Sequence, residues 1–223
     1  MTDITLADLF GISKPLIQAP MAGAQDHRLA IAVSKAGGLG SLPCAMLDAE
    51  TIRSQVAQFR EATGNPVNLN FFCHSLPAHD PEREQAWMAR LAPYFDEFGI
   101  DSPEPGQGGS RQPFSQAFAE VVASLAPEVV SFHFGLPDDA LIARVRRSGA
   151  RIIASATTIE EALWLEEKGV DAIIAQGIEA GGHRGNFLSM DVTQQMGTLA
   201  LVPQIAHRVD VPVIAAGGIA SPE

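Results

Sequence analysis

Two histidines in this sequence lie where an enzyme could use them. His133 interrupts the apolar run EVVSFHF (128–134), and His183 lies in IEAGGHRGNF (178–187), which follows the apolar run DAIIAQ (171–176). An imidazole titrates near neutral pH, so a histidine that faces a pocket can act as a general base. A strand histidine is also often a hydrogen-bonded core residue, and a loop histidine is often only solvated. The residues alone leave these interpretations open.

Two glycine pairs offer bare backbone at matching positions. Gly181 and Gly182 follow one apolar run, and Gly217 and Gly218 end the run that begins at Val211. Backbone N–H groups without side chains can approach an anion closely, which predicts a phosphate site, although glycine pairs also form ordinary turns. The sequence has no G-x-G-x-x-G after its first apolar run and no G-x-x-x-x-G-K-[ST], which argues against a Rossmann or P-loop nucleotide site.

The elements that must position these residues alternate between short apolar runs and amphipathic segments. The runs predict parallel strands at 16–19, 38–41, 66–72, 128–134, 151–156, 171–176 and 211–217. The segments between them predict helices at 27–37, 48–64, 138–149, 158–169 and 197–209. Single helices joining successive strands favour an α/β fold of the TIM-type (β/α)8 barrel over a doubly wound sheet. An eighth strand is missing from this pattern.

A helical insertion interrupts the repeat after the third predicted strand. We expect residues 1–223 to form one barrel domain, and residues 74–128 to contain two helices around a linker at 102–113 that is rich in Gly, Pro and Ser. In a barrel, this insertion would lie on the carboxyl-terminal face, where lids and substrate walls are built. The alternative is a helical cap without contact to substrate.

Composition excludes several classes of protein. The formal net charge of −11 argues against a nucleic-acid partner, which would need clustered Lys and Arg. No run of about 18 apolar residues and no signal peptide occur, so we expect a cytoplasmic protein without a membrane partner. The histidines and the two cysteines, Cys44 and Cys73, lack the spacing of metal ligands, so no metal is expected. No lysine follows a predicted strand, which weakens a Schiff-base aldolase or a similar flavin-free barrel.

At these same residues the chain resembles the class I branch of the nitronate monooxygenase family, formerly called 2-nitropropane dioxygenases. The matching segments run in order from residue 15 to residue 219: PLIQAPMAG, AVSKAGGLGS, VNLNFFCH, VVSFHFGLP, AQGIEAGGHRG and VIAAGGI. The resemblance implies a barrel that binds FMN non-covalently. It also implies the oxidation of nitronates, and of some nitroalkanes, by O2 to a carbonyl compound and nitrite.

The resemblance also implies roles for particular residues. Ala19, Pro20 and Met21 would meet the flavin ring, and Asn70 and Gln176 would donate or accept hydrogen bonds to the cofactor. The phosphate would lie beside Gly181, Gly182, Gly217 and Gly218. His133 matches the catalytic histidine, which would remove the α-proton of a neutral nitroalkane, and His183 matches a second histidine near the flavin. The expected partners are a small nitronate or nitroalkane and O2, and a homo-oligomer is left open.

One departure from the family pattern concerns the C-terminus. The chain ends at AAGGIASPE, whereas the family continues through a helix and an eighth strand, so we expect a truncated barrel with two open strand edges. Two other functions stay open. One is an NAD(P)H-dependent flavin reductase of the quinone or enoyl-thioester type, and the other is a flavin-binding protein without turnover.

Overall fold

The computed structural model describes residues 5–76, 78, 80–103 and 112–221. Within these ranges the chain forms one sheet of six parallel strands and eight α-helices. The strands are β1 (Gly40–Pro43), β2 (Val67–Phe72), β3 (Val129–His133), β4 (Arg151–Ala156), β5 (Ala172–Gln176) and β6 (Val213–Ala216). The helices are α1 (Leu6–Phe10), α2 (His27–Lys35), α3 (Ala49–Ala62), α4 (Pro81–Phe98), α5 (Gln116–Leu125), α6 (Asp139–Arg147), α7 (Ile159–Glu167) and α8 (Thr198–Ala206).

The strand order confirms the predicted fold class. The strands are hydrogen-bonded in the order β1 to β6, each beside the one before it in sequence. A doubly wound sheet would reverse its strand order at a switch point, whereas a barrel adds its strands in sequence. The first predicted strand, at 16–19, is reduced to a single parallel bridge between Ile17 and Leu39.

Side chains on each strand alternate between two faces. In β3, Val130 and Phe132 pack into the main core with the helices, while Ser131 and His133 point to the opposite, inner face. The amino-terminal part of this inner face is apolar, because Phe10 of α1 packs there in one cluster with buried side chains of several strands. The inner face is therefore sealed at one end and polar at the carboxyl ends of the strands.

Short polar residues start three of the helices that were predicted between the strands. Asp48, Asp138 and Thr158 each accept a hydrogen bond from a backbone N–H in the first turn of α3, α6 and α7. Gly149 and Gly169 follow α6 and α7 with φ of +88° and +76°, a conformation that glycine adopts without steric strain. The five helices predicted between the strands are confirmed. Such signals for helix ends can be read from the sequence because each depends on only a few neighbouring residues.

The predicted insertion divides between two compact units. The first unit contains the residues up to His74 and from Gln112 onward, including α5, which packs beside α3 and α6. The intervening segment forms the second unit and contains α4. Residues 104–111 of the predicted linker lie outside the described residues, and the role of a lid stays a prediction. In the described ranges, no helix is both long enough and apolar enough to cross a membrane.

Candidate active site

Three polar side chains project from the carboxyl ends of neighbouring strands. His133 ends β3, Ser155 is the next-to-last residue of β4, and Gln176 ends β5. Each lies on the inner face two residues after an inner-face residue of its own strand, since side chains alternate with a period of two. The loop of residues 183–185 contacts all three side chains. These contacts assemble the candidate active site.

His133 is hydrogen-bonded at both ring nitrogens. Its Nδ1 lies 2.6 Å from Ser155 Oγ, and its Nε2 lies 3.1 Å from the backbone carbonyl oxygen of His183. A carbonyl oxygen can only accept, so Nε2 carries the proton and donates it to His183. Nδ1 then accepts from the hydroxyl of Ser155. The contacts therefore select one neutral tautomer of His133.

Burial keeps this imidazole neutral. Desolvation lowers the pKa of His133 from 6.5 to about 4, although the hydrogen bond to the His183 carbonyl favours the charged form. The imidazole of His183 adds a smaller lowering through charge repulsion. At neutral pH, His133 is thus uncharged, as a base must be before it takes a proton.

Aromatic rings surround the two histidines. The Phe72 ring lies 5.8 Å from the His133 ring and 5.4 Å from the His183 ring, measured between centroids. Phe134 lies 4.5 Å from His133 and 5.9 Å from His183. The structure therefore brings both predicted catalytic histidines to one largely apolar corner. His183 itself is exposed there.

Gln176 and Arg184 hold the loop that covers His133. The Gln176 amide donates to the His183 carbonyl at 3.0 Å, and its oxygen accepts from the Gly185 N–H at 2.7 Å. Arg184 donates to the carbonyls of Gly177 and Ile178, at the start of the same loop. Both polar ends of the Gln176 side chain thus bind the protein, and its predicted contact with a cofactor stays a prediction.

Gly185 lies where no larger residue fits. A Cβ at this position would be 2.6 Å from Cε1 of His133 and 2.8 Å from Oγ of Ser155. Contacts between carbon atoms are normally about 3.5–4.0 Å. The absence of a side chain therefore lets the loop backbone pack directly on the His133–Ser155 pair.

The two predicted glycine pairs lie in adjacent loops. A Cβ on Gly217 would be 2.8 Å from the backbone nitrogen of Ala180, the residue before Gly181. Gly181 and Gly182 themselves are exposed, with nothing within 4 Å of an added Cβ. Gly217 and Gly218 have φ of +122° and +69°, which favours glycine. The backbone is thus open at Gly181 and Gly182 and tightly packed at Gly217 and Gly218.

Glu179 lies between these loops and the start of α8. Its carboxylate accepts from the backbone N–H and the hydroxyl of Thr198, both at 2.8 Å, and the N–H bond is the main cause of a lowered pKa of Glu179. The Thr198 hydroxyl also lies 3.0 Å from the Gly217 carbonyl oxygen. A protein carboxylate therefore satisfies the first turn of α8, where the helix dipole favours negative charge.

The remaining predicted cofactor residues lie nearer the β1 edge of the sheet. Gln25 donates to the carbonyl oxygen of Ala19 at 3.2 Å and approaches Ser41 of β1, and Met21 is exposed. Pro20, between Ala19 and Met21 in sequence, is half-buried. Asn70 is buried on β2 and donates to Ser131 Oγ at 3.0 Å. The predicted set is therefore spread along the carboxyl ends of the strands and does not form one cluster around His133.

Sequence reasoning missed three residues of the site. Ser155, Gly185 and Glu161 contact His133 or the loop that covers it, yet none of these contacts was predicted. Glu161 had a local signal, since Thr158 and Glu161 match the S/T-x-x-E pattern of a capping box. That pattern predicts only a helix start, and here the Glu161 carboxylate bonds elsewhere.

Comparison with known proteins identifies relatives along nearly the whole chain. A family model described as "Nitronate monooxygenase" matches residues 4–223. A protein named nitronate monooxygenase from Paraburkholderia phytofirmans is 44% identical over 98% of the chain. The chain spans 61% of the length of that relative.

Solved structures agree with this result. The chain is similar to nitroalkane oxidase from Streptomyces ansochromogenes, with a TM-score of 0.82 and 38% identity over 96% of the chain and 61% of that protein. It is also similar to FabK from Thermotoga maritima, with a TM-score of 0.70 and 26% identity over 99% of the chain and 56% of that protein.

Proposed function

The chain belongs to the nitronate monooxygenase family, and from this membership and the geometry around His133 we propose that it oxidises small nitronates. The expected products are a carbonyl compound and nitrite, with O2 as the oxidant and FMN as the cofactor. Neutral nitroalkanes form a second, more demanding class of substrate. The observation that carries this proposal is the place of His133, which is partly buried beside Ser155 and lies with His183 in the apolar corner of Phe72 and Phe134.

The residues present are compatible with FMN. The open backbone at Gly181 and Gly182, beside the positive-φ pair Gly217 and Gly218, suits a phosphate that needs close N–H donors.

FMN, when bound, supplies the electron transfer between the nitronate and O2. We assign its phosphate side to the two glycine pairs, and its ring to the predicted loop of Ala19, Pro20 and Met21 with Asn70 nearby. The protein's own share is to exclude water, to orient the substrate and to move protons. The apolar corner formed by Phe72 and Phe134 beside the histidines supports that share.

The tautomer of His133 separates the two classes of substrate. A nitronate is already an anion, so its oxidation needs no base. A neutral nitroalkane must first lose its α-proton, which needs a free nitrogen lone pair. In this structure, Nε2 donates to the His183 carbonyl and Nδ1 accepts from Ser155, so neither nitrogen offers one. Nitroalkane turnover therefore requires the His183 carbonyl to move away, so that the proton can shift to Nδ1 and leave Nε2 free.

The test compares the two forms of one substrate. The purified protein is examined by absorbance for bound flavin, and nitrite is assayed after a pre-ionised nitronate or the matching nitroalkane is added in air. We expect His133→Asn to keep its flavin and to lose about a hundredfold or more in kcat/KM for the nitroalkane, the usual contribution of a general base. Turnover of the nitronate should fall far less.

His207→Asn is the matched control, since His207 is exposed at the end of α8. An equal loss for nitronate and nitroalkane in His133→Asn would remove His133 from the role of base. If no nitrite forms from either substrate and NAD(P)H rapidly bleaches the flavin, the flavin reductase is favoured. Stable flavin with neither reaction would favour a binding protein without turnover.

A further inference from the structure

A buried carboxylate lies beneath the loop that covers His133. Glu161 is 1% exposed and belongs to the first turn of α7. Burying an unpaired charge is strongly unfavourable unless hydrogen bonds compensate for the lost hydration. In the described part of the chain no Lys or Arg forms an ion pair with Glu161, so the compensation comes from hydrogen-bond donors.

Four donors converge on this carboxylate from two segments. Its Oε2 accepts from the backbone N–H of Thr157 at 2.7 Å and from the hydroxyl of the same residue at 2.8 Å. Its Oε1 accepts from the backbone N–H groups of Phe187 at 2.6 Å and Leu188 at 3.2 Å. One oxygen therefore binds the turn after β4, and the other binds the loop after β5.

The two segments are those that hold His133. Thr157 follows Ser155, the hydroxyl partner of His133, by two residues, and Phe187 follows Gly185 by two residues. The Phe187 ring packs against the Trp164 ring, with centroids 5.2 Å apart. The Glu161 carboxylate thus links the strand end that carries Ser155 to the loop that carries Gly185, and it binds each segment two residues beyond the residue that contacts His133.

We propose that Glu161 is a positioning residue that fixes the His183 loop over His133. Through Phe187 and Leu188, it sets where the His183 carbonyl lies and therefore whether Nε2 of His133 is covered. Gln176 fixes the near end of the same loop, and Glu161 fixes the far end. The consequence for substrate choice rests on the proposed function, whereas the loop anchoring does not.

The test replaces Glu161 by alanine, which removes both acceptor oxygens and so releases the Thr157 donors and the Phe187 and Leu188 amides together. The matched control is Glu160→Ala, because Glu160 is the neighbouring carboxylate in the same turn and is exposed.

Two measurements do not depend on activity. In Glu161→Ala, hydrogen exchange at the amides of Phe187 and Leu188 should become about ten- to a hundredfold faster, the factor expected for losing a hydrogen bond to a charged group. The ¹H–¹⁵N signal of the His133 Nε2–H group should be visible in the unchanged protein and lost to solvent exchange in the variant. Glu160→Ala should change neither.

The activity measurement separates positioning from general stability. At equal flavin content, Glu161→Ala should raise kcat/KM for a neutral nitroalkane about tenfold, because the released loop uncovers Nε2 of His133, and should change it by no more than about twofold for the pre-ionised nitronate. If the unchanged protein oxidises neither, the proposed function fails while the exchange and NMR results still decide the anchoring. The proposal is overturned if the amides of Phe187 and Leu188 exchange at the same rate in the variant as in the unchanged protein. If the variant does not fold, fast exchange of both amides in the unchanged protein overturns it.

Discussion

Substituting alanine for Gly185 should separate His133 from Ser155. The new Cβ would lie 2.6 Å from His133 Cε1 and 3.0 Å from its Nδ1, whereas a relaxed contact needs about 3.5 Å or more. The ring or the loop must therefore shift by about 1 Å. The bond between Nδ1 and Ser155 Oγ is 2.6 Å long, and a shift of that size away from Ser155 would stretch it beyond hydrogen-bonding distance.

The expected size of this effect follows from overpacking. One methyl group forced into a packed site costs about 1–3 kcal/mol of unfolding free energy. For a chain of this length, that corresponds to a fall in Tm of roughly 2–10 °C. A misplacement of about 1 Å in a catalytic group can lower kcat/KM about a hundredfold. Thermal unfolding, nitroalkane kinetics and the NMR signals of the His133 ring measure the three consequences.

Gly64→Ala is the control for the alanine substitution itself. Gly64 has nothing within 4 Å of an added Cβ, so this variant should match the unchanged protein in Tm and in kcat/KM. If Gly185→Ala also matches the unchanged protein within about 0.5 kcal/mol, with unaltered His133 signals, the tight packing of the loop on His133 is refuted.

Two further predictions concern pH and the cofactor. The pKa of His133 is lowered from 6.5 to about 4. Between these pH values the unfolded chain therefore binds a proton at His133 that the folded chain does not bind. The unfolding free energy should fall by up to about 3 kcal/mol as the pH decreases from 6.5 to 4. Denaturant titrations of the protein and of His133→Asn measure this loss, and equal pH slopes would contradict it. Gly181→Asp should weaken FMN binding about tenfold or more through charge repulsion, while Gly181→Ala should retain it, since an added Cβ there meets nothing. Fluorescence titration with FMN decides, and equal retention by both variants would move the phosphate site elsewhere.

Much of the fold was predictable because its signals are short-range. Six of the seven predicted parallel strands, the five predicted helices between them and the family resemblance are confirmed. The prediction for residues 16–19 was wrong as a full strand, since only Ile17 forms a bridge. An apolar run alone cannot tell whether its backbone finds a partner over its whole length.

The candidate site was predictable only in part. His133 was identifiable as a pocket residue because a polar ring interrupts an apolar run at a predicted strand end, whereas Gln176 was named through the family resemblance. Nothing local reveals that Gln176 binds the loop around His183 with both ends of its amide. The assignments of FMN contacts stay predictions, because they rest on the resemblance and on open backbone at the glycine pairs.

By itself, the sequence determined which residue types stand at the strand ends, because strand periodicity, helix caps and glycine positions act over a few residues. Only the tertiary structure decided the protonated nitrogen of His133, since its partners, Ser155 and His183, lie 22 and 50 residues away in sequence. The same holds for Glu161, whose capping-box position is a local signal for a helix start only. Its carboxylate instead joins two loops, because parallel strands bring their carboxyl ends to one edge of the sheet and so place distant segments within hydrogen-bonding distance.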